Sequence, residues 1–434
     1  MIKQQRKSRG DADDSRSVSP WIVVILLGFV VRFVVAYASI GSDDAAMFWV
    51  FGNHVRSSGL FGAYRENPQF NHPPISAFLA CGTLAVTEQI AGPTRPPTPD
   101  DEGNWFEHMA LFVLLFKLPA IAADALACAL LYAVWRSRSG SSSARWVVPA
   151  AYAWALGPIL VSSYHGNTDS IYAAFSLAAA WLMHGERRRP FLGGLALAVA
   201  INIKLIPVLL IPILAVSVHS RRELLLFFAG LGVGVIPYLP VLYWDLLISE
   251  RSYFTRNVLA YNPEPNSWGL AIPLTVGRPH PPRVGFDDLL LSFKANGRYL
   301  ILASVAAWTL LWRRASARRD LLLGAAVVYA LFLVLVPGFG VQYVVIVAPL
   351  LFAAGQRWLA TGYGLASGLC AGSAYVAYLQ PGLPMFSKFK DYFPPATVIF
   401  GVVAWSLLVV FVFRSVRDVI RERSVTSQPT LPAK

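Results

Sequence analysis

The chain has 434 residues, of which 56% are hydrophobic and only 14% charged, with a mean hydropathy of +0.52. A water-soluble protein of this length carries far more charge on its surface, so that class is excluded. The net charge of +13 does not indicate nucleic acid, because the basic residues fall in short clusters between apolar runs, the pattern of membrane orientation.

Apolar runs such as Trp21–Ile40, Ala110–Trp135 and Leu321–Val336 are each near the ~20 residues that cross a hydrocarbon core as helix. The expected fold class is an all-α, polytopic transmembrane helical bundle of about 10–13 membrane helices, with its site carried by external loops. Residues 1–19 read as a cytoplasmic polar tail, 20–413 as one transmembrane domain and 414–434 as a cytoplasmic basic tail. The first apolar run reads as an uncleaved helix, since no small-residue cleavage site follows it. Cys81, Cys128 and Cys370 lie in apolar surroundings and read as small core residues.

Arginine clusters mark one side of the membrane: Arg136, Arg138 and Arg145; Arg187–Arg189; Arg221–Arg222; Arg313, Arg314, Arg318 and Arg319; and Arg414, Arg417, Arg421 and Arg423. The positive-inside rule makes these cytoplasmic, together with both termini, in a multi-pass protein of a bacterial cytoplasmic membrane. Ser162–Ser170 and Pro337–Tyr343 lack Lys and Arg and face outward. Crossings follow at Val147–Tyr164, Ile171–His184, Leu224–Trp244, Tyr299–Trp312, Leu321–Val336, Tyr343–Ala354, Leu359–Leu379 and Thr397–Phe413. Only 31 residues separate Arg189 from Arg221, too few for two full spans, and Pro207 and Pro212 interrupt them. Short or broken helices are expected there. Whether Ile75–Ala91 is a full crossing or a short re-entrant helix stays open.

The outward segments hold the candidate chemistry. In the first, 41–74, Asp43 and Asp44 follow helix one directly. Partial desolvation at that boundary raises a carboxylate's pKa toward a value useful to a general base. The Ser-Asp-Asp start is equally good helix-capping chemistry, and both readings can hold. Tyr64, Asn71 and His72 follow, with Pro73-Pro74 fixing an extended entry to the next segment. The turn His165-Gly-Asn-Thr-Asp-Ser170 places His165, Asn167 and Asp169 at another outward end, where an ordinary turn with Asp169 as a helix cap is the plainer reading. In the long loop 245–298, Arg256, Tyr261, Asn262, Asn266 and Trp268 mix aromatic faces with amides, which suits a sugar. Gln342 and Tyr343 occupy a further outward turn.

Arg32, Lys117, Asp124 and Lys204 lie within apolar runs, where ionisable groups are costly and are functional candidates by default. Lys117 and Asp124 share a helix face and are expected to pair with other helices. Arg32 can snorkel or pair with Asp124, and Lys204 in the broken region can hold a lipid phosphate.

The order of these features resembles the GT-C glycosyltransferases, and in particular the bacterial and archaeal branch related to the dolichyl-phosphate-mannose and -glucose enzymes. The features are Asp44-Ala-Ala-Met-Phe48, Tyr64, Asn71-His-Pro-Pro74, the turn His165–Ser170, Asn202-Ile-Lys204 before Pro207, and Gly340-Val-Gln-Tyr343 before Pro349. The resemblance implies inverting transfer of a hexose, mannose first, from a polyprenyl-phosphate sugar to a lipid, glycan or protein acceptor on the external face. It implies Asp44 as the base with Asp43 as understudy, and His72, Lys204 and Arg256 on the donor phosphate. Asp169 shapes the pocket. No cofactor is expected, a divalent metal is not excluded, and no nucleic-acid partner is expected. Asn167 departs from the commoner Gln of that turn. A transporter or flippase of a lipid-linked intermediate is the alternative class; it uses broken helices and buried charge too, but places its site at the midplane between inverted repeats.

Overall fold

A computed structural model describes residues 19–93, 104–138, 143–185, 188–249, 251–259, 286–314, 320–336, 340–388 and 393–426. It is an all-α bundle. In chain order the helices are α1 (Pro20–Ala38), α2 (Asp43–Glu66), α3 (Pro74–Ala91), α4 (Asn104–Arg138), α5 (Ala144–Ala153), α6 (Leu156–Ile159) continued as a π-turn over Leu160–His165, and α7 (Asp169–Leu182). There follow α8 (Pro190–Ile203), α9 (Ile211–Val216), α10 (Arg221–Val233), α11 (Leu239–Tyr243), α12 (Phe286–Arg313), α13 (Leu321–Leu335), α14 (Ala348–Ala353), α15 (Arg357–Ala377) and α16 (Pro395–Thr426). A single parallel pair of two-residue strands, β1 (Gly41–Ser42) and β2 (Phe386–Ser387), is the β structure among the described residues.

Among those residues, five helices are long and apolar enough to cross a membrane, or six if the pair Ala144–Ala153 and Leu156–His165, bent by 48°, forms one span. Other expected crossings fold as shorter apolar helices, Leu321–Leu335 and Val341–Ala353 among them. The broken region is as anticipated: α8 stops at Ile203, Lys204 is extended, and a 3-10 turn over Ile206–Leu210 leads into α9. Pro207 favours the stop, because proline lacks the N–H and disfavours a helical conformation in the residue before it. α8 also crosses α10 closely enough that a Cβ on Gly194 would lie 2.0 Å from the Phe227 carbonyl oxygen.

The segment 41–74 is a helix rather than an irregular loop: α2 runs 24 residues with a kink at Gly59. α3 lies parallel to it, with His72 beside Phe48, Gly52 against Ala80 and Arg56 paired with Glu88. Lys117 of α4 is bonded to Ser39 at the end of α1, so the preceding residues of α4 project ~20 Å beyond it. There Met109, Phe112 and Phe116 join Phe48, Trp49, Phe51, Tyr64 and Phe70 in an aromatic core. α2, α3 and the start of α4 therefore form a cap over one end of the bundle. α3 has the length and composition of a span and also packs along α2 in this cap.

The main core gathers residues of α4, α5, α7, α13, α14 and α15. Within it Arg32 of α1 donates from Nε to Asp124 Oδ2 of α4 at 2.9 Å, and Tyr152 of α5 donates to Asp124 Oδ1 at 2.9 Å. Arg32 also donates to the carbonyls of Gly28 and Ala153. Lys117 donates to the Ser39 carbonyl at 2.7 Å and to its hydroxyl at 3.1 Å. These three buried charges tie helices together, Lys117 and Asp124 each bonding to another helix as their spacing indicated, and Lys117 also lies against Gly41 and Gly166.

Candidate active site

Where α1 ends, the chain passes through β1 into α2. Ser42 is the residue before α2, and its hydroxyl donates to the His165 carbonyl at 2.8 Å. Gly41 has φ +98°, and a Cβ there would fall 1.9 Å from the Tyr164 carbonyl oxygen, so the close crossing of β1 over the π-turn requires glycine. β2 holds β1 from the other side: Ser387 is hydrogen-bonded to the Tyr164 hydroxyl at 2.7 Å and donates to the Tyr375 carbonyl at 2.7 Å. Asp43 and Asp44 thereby occupy the first turn of α2, where the helix dipole favours negative charge.

Three donors from two other parts of the chain meet one oxygen of Asp44. His165 Nε2 is 2.9 Å from Oδ2, Asn167 Nδ2 2.8 Å and Gln342 Nε2 3.2 Å. An ionised carboxylate only accepts, so His165 donates through Nε2. The Thr168 N–H donates to Asn167 Oδ1 at 2.6 Å and so fixes the amide with its NH2 toward Asp44. The Asp44 side chain is 39% accessible although protein packs around it closely. That burial pushes its pKa up, but the His165 hydrogen bond and electrostatic attraction, then Lys204 and His72, pull it down to about 2. The expected upward shift is corrected: desolvation is present but outweighed.

The turn after His165 carries Asp169 at the start of α7. Asp169 is fully buried, and its Oδ1 lies 3.4 Å from Lys204 Nζ. Lys204 also stands 4.2 Å over the Tyr343 ring. Its backbone is placed at the break after α8, where Ser76 of α3 donates to the Ile203 carbonyl at 2.8 Å and Asn202 donates to the Gly234 carbonyl at 2.7 Å. His72 packs 4.8 Å from the Phe48 ring. Burial and the neighbouring Lys204 lower its pKa to about 3 against a smaller opposing effect of Asp44. A neutral His72 offers N–H donation and no charge.

Other expected members sit elsewhere. Tyr64 is fully buried among Phe70 and Phe254, and its hydroxyl donates to the His72 carbonyl at 2.8 Å, which braces the loop. Asn71 is half-buried beside His72. Arg256 is exposed and lies 5.6 Å over the Tyr253 ring, an aromatic contact. Asn266 and Trp268, with Tyr261 and Asn262, lie outside the described residues.

Two bracing residues were not singled out in the sequence. Asp245 is buried and accepts from the N–H groups of Phe254 and Thr255 at 2.7 and 2.8 Å. Asn257 donates to the Tyr64 carbonyl at 2.9 Å. A carboxylate directly after an apolar run, as at Asp245, was the available signal. A cavity of about 930 Å3 lies at the opposite end of the bundle and is lined in part by Asp320, Arg357, Arg414 and Asp418. Asp320 is paired there with Arg138 and accepts from the Leu322 N–H, and Asp418 is paired with Arg417.

A membrane-embedded bundle that sets an oriented carboxylate beside a cation at one end is built for transfer chemistry, and the comparisons define which: the protein is a membrane glycosyltransferase. The model of Glycosyltransferase family 87 matches residues 104–337, more than half of the chain, and the chain belongs to that family. The matched stretch includes His165, Asn167, Asp169 and Lys204, while Asp44, His72 and Gln342 lie outside it. No curated protein matches the chain.

Proposed function

We propose that this glycosyltransferase moves a hexose, mannose first, from a polyprenyl-phosphate sugar to a hydroxyl of a lipid, glycan or protein acceptor at the outward face, with GT-C-like inversion. The supporting observation is the convergence of His165, Asn167 and Gln342 on Asp44 Oδ2. It locks the carboxylate's rotation and reserves Oδ1 for the acceptor. The acceptor oxygen attacks the anomeric carbon as the bond to the phosphate oxygen breaks. The electron pair leaves on the lipid phosphate, where Lys204 stabilises the charge and His72 donates a hydrogen bond.

A carboxylate with a pKa of about 2 suits a late proton transfer. Through an oxocarbenium-like transition state the attacking hydroxyl becomes strongly acidic only as the new bond forms, and the proton then passes to Asp44. The lipid phosphate is itself the leaving group, so the scheme involves no cofactor.

The test is transfer of radiolabelled mannose or glucose from its polyprenyl phosphate by purified protein in a membrane-lipid acceptor pool. Asp44→Asn should lose about 10²–10⁴ of the rate with an unchanged Tm. Full activity in a folded Asp44→Asn protein removes Asp44 from the role of base, and wild type inert with both donors removes the donor class.

A further inference from the structure

Lys204 is held from two sides. Asp169 Oδ1 is 3.4 Å from its Nζ, and the Tyr343 face lies 4.2 Å away. The Lys204 side chain is 11% accessible while that of Asp169 is 0%. The carboxylate is thus shut inside the protein, and of the two groups only the lysine side chain keeps accessible surface. We infer that Asp169 is the positioning residue of the donor-phosphate site, holding the Lys204 ammonium against Tyr343 and ready to meet the phosphate; this rests on the lipid-phosphate reading above.

The physical need for such a residue is plain. A lysine stem has four flexible bonds, and an unpartnered ammonium among protein atoms tends to move away or shed its proton. A buried carboxylate opposes both, and the start of the 14-residue α7 favours its negative charge. The groups facing Lys204 are Asp169 from α7, Tyr343 from the turn before α14, Asp44 from α2 and His72 before α3. Tyr172, one turn along α7, borders Asp169. The arrangement leaves Lys204 charged and aimed before the donor arrives, so little ordering remains to be done on binding.

The experiment measures binding, independently of turnover, with polyprenyl phosphate and the uncharged polyprenol as probes. Wild type is expected to prefer the phosphate at least about tenfold from pH 6 to 9. Asp169→Asn should keep that preference near pH 6 and lose about tenfold for each unit that pH exceeds the freed lysine's pKa. Asp169→Asn with Lys204→Arg should recover it at pH 9, because a guanidinium stays charged. Lys204→Arg alone, whose guanidinium does not titrate in this range, should show one phosphate preference, whatever its size, at both pH values.

Asp169→Asn binding like wild type at pH 9 overturns the inference. So does an equal loss at both pH values without recovery by arginine, which is the behaviour of a mere helix staple. If Asp169→Asn does not fold, a pH-dependent loss in wild type that Lys204→Arg abolishes overturns it too, since Asp169 would then not be holding the charge. Wild type that binds polyprenol as well as polyprenyl phosphate overturns the donor reading, and this inference with it.

Discussion

His165 Nε2 lies 2.9 Å from Asp44 Oδ2 across a separation of 121 residues. One partner opens the cap helix α2 and the other closes the bent α5–α6 span. Their meeting depends on β1 crossing the π-turn, so the carboxylate is aimed by the same contacts that seat the cap on the bundle.

That bond sets the pH behaviour of the reaction. Asp44 stays ionised down to about 2, so wild-type kcat/KM should show no acid limb from this carboxylate between about pH 7 and 5. In His165→Ala the downward pull is removed while burial still pushes up. The acid limb should then climb by a unit or more toward that window. Superimposable profiles would show that His165 does not control the charge of Asp44.

His72 gives stability a pH slope of its own. Its folded pKa is about 3 against an ordinary 6.5, so between those values the unfolded chain binds the proton and the folded chain does not. Stability therefore falls as pH drops from about 6.5 toward 3 and is insensitive to this group above that window. Thermal unfolding in detergent should show a smaller drop in Tm between pH 7 and 5 for His72→Gln than for wild type. An identical drop would assign the acid sensitivity to other groups.

The Arg32–Asp124 pair holds α1 to α4 well away from Asp44. Arg32→Met and Asp124→Asn should each cost about 3–5 kcal/mol, since each strands a buried polar partner. The double variant should cost less than the sum of the two by at least about 1 kcal/mol. Transfer per folded molecule should persist in all three. Unfolding titrations that give additive losses would mean that the two residues act separately.

Gly41→Ala is expected to be costly for its size. Its φ of +98° and the Tyr164 carbonyl oxygen 1.9 Å from the added Cβ combine strain with a clash, at about 1–3 kcal/mol. Transfer should fall about tenfold, because displacing β1 shifts Asp44, and small misplacements at a reacting centre cost rate steeply. Gly82→Ala in α3 is the control: nothing lies within 4 Å of its added Cβ, and a helical glycine gains from the change. Equal Tm and transfer in Gly41→Ala and wild type would show that the crossing tolerates a side chain.

Much of this protein is legible in its amino-acid order, because the bilayer imposes a one-dimensional rule. Apolar runs, arginine clusters and proline breaks are local in sequence, and they specify an all-α membrane chain with a broken region at Asn202–Lys204. Asp44, His165, Asn167, Lys204 and Gln342 were recognisable as polar residues at the ends of apolar runs. Their mutual distances were not, since they come from four separate places in the chain. The same limit applies to α3, whose length and hydropathy suit a span; its packing along α2 and α4 is visible only in the tertiary structure. The charge state of Asp44 followed that pattern. Its position beside the membrane indicated desolvation, but the donors that outweigh it arrive from residues 121 to 298 positions away. Composition and order determined that the chain lives in a membrane and where its polar ends fall. Tertiary structure alone decided which of those ends meet, because electrostatics and hydrogen bonding act over a few ångströms of space whatever the distance along the chain.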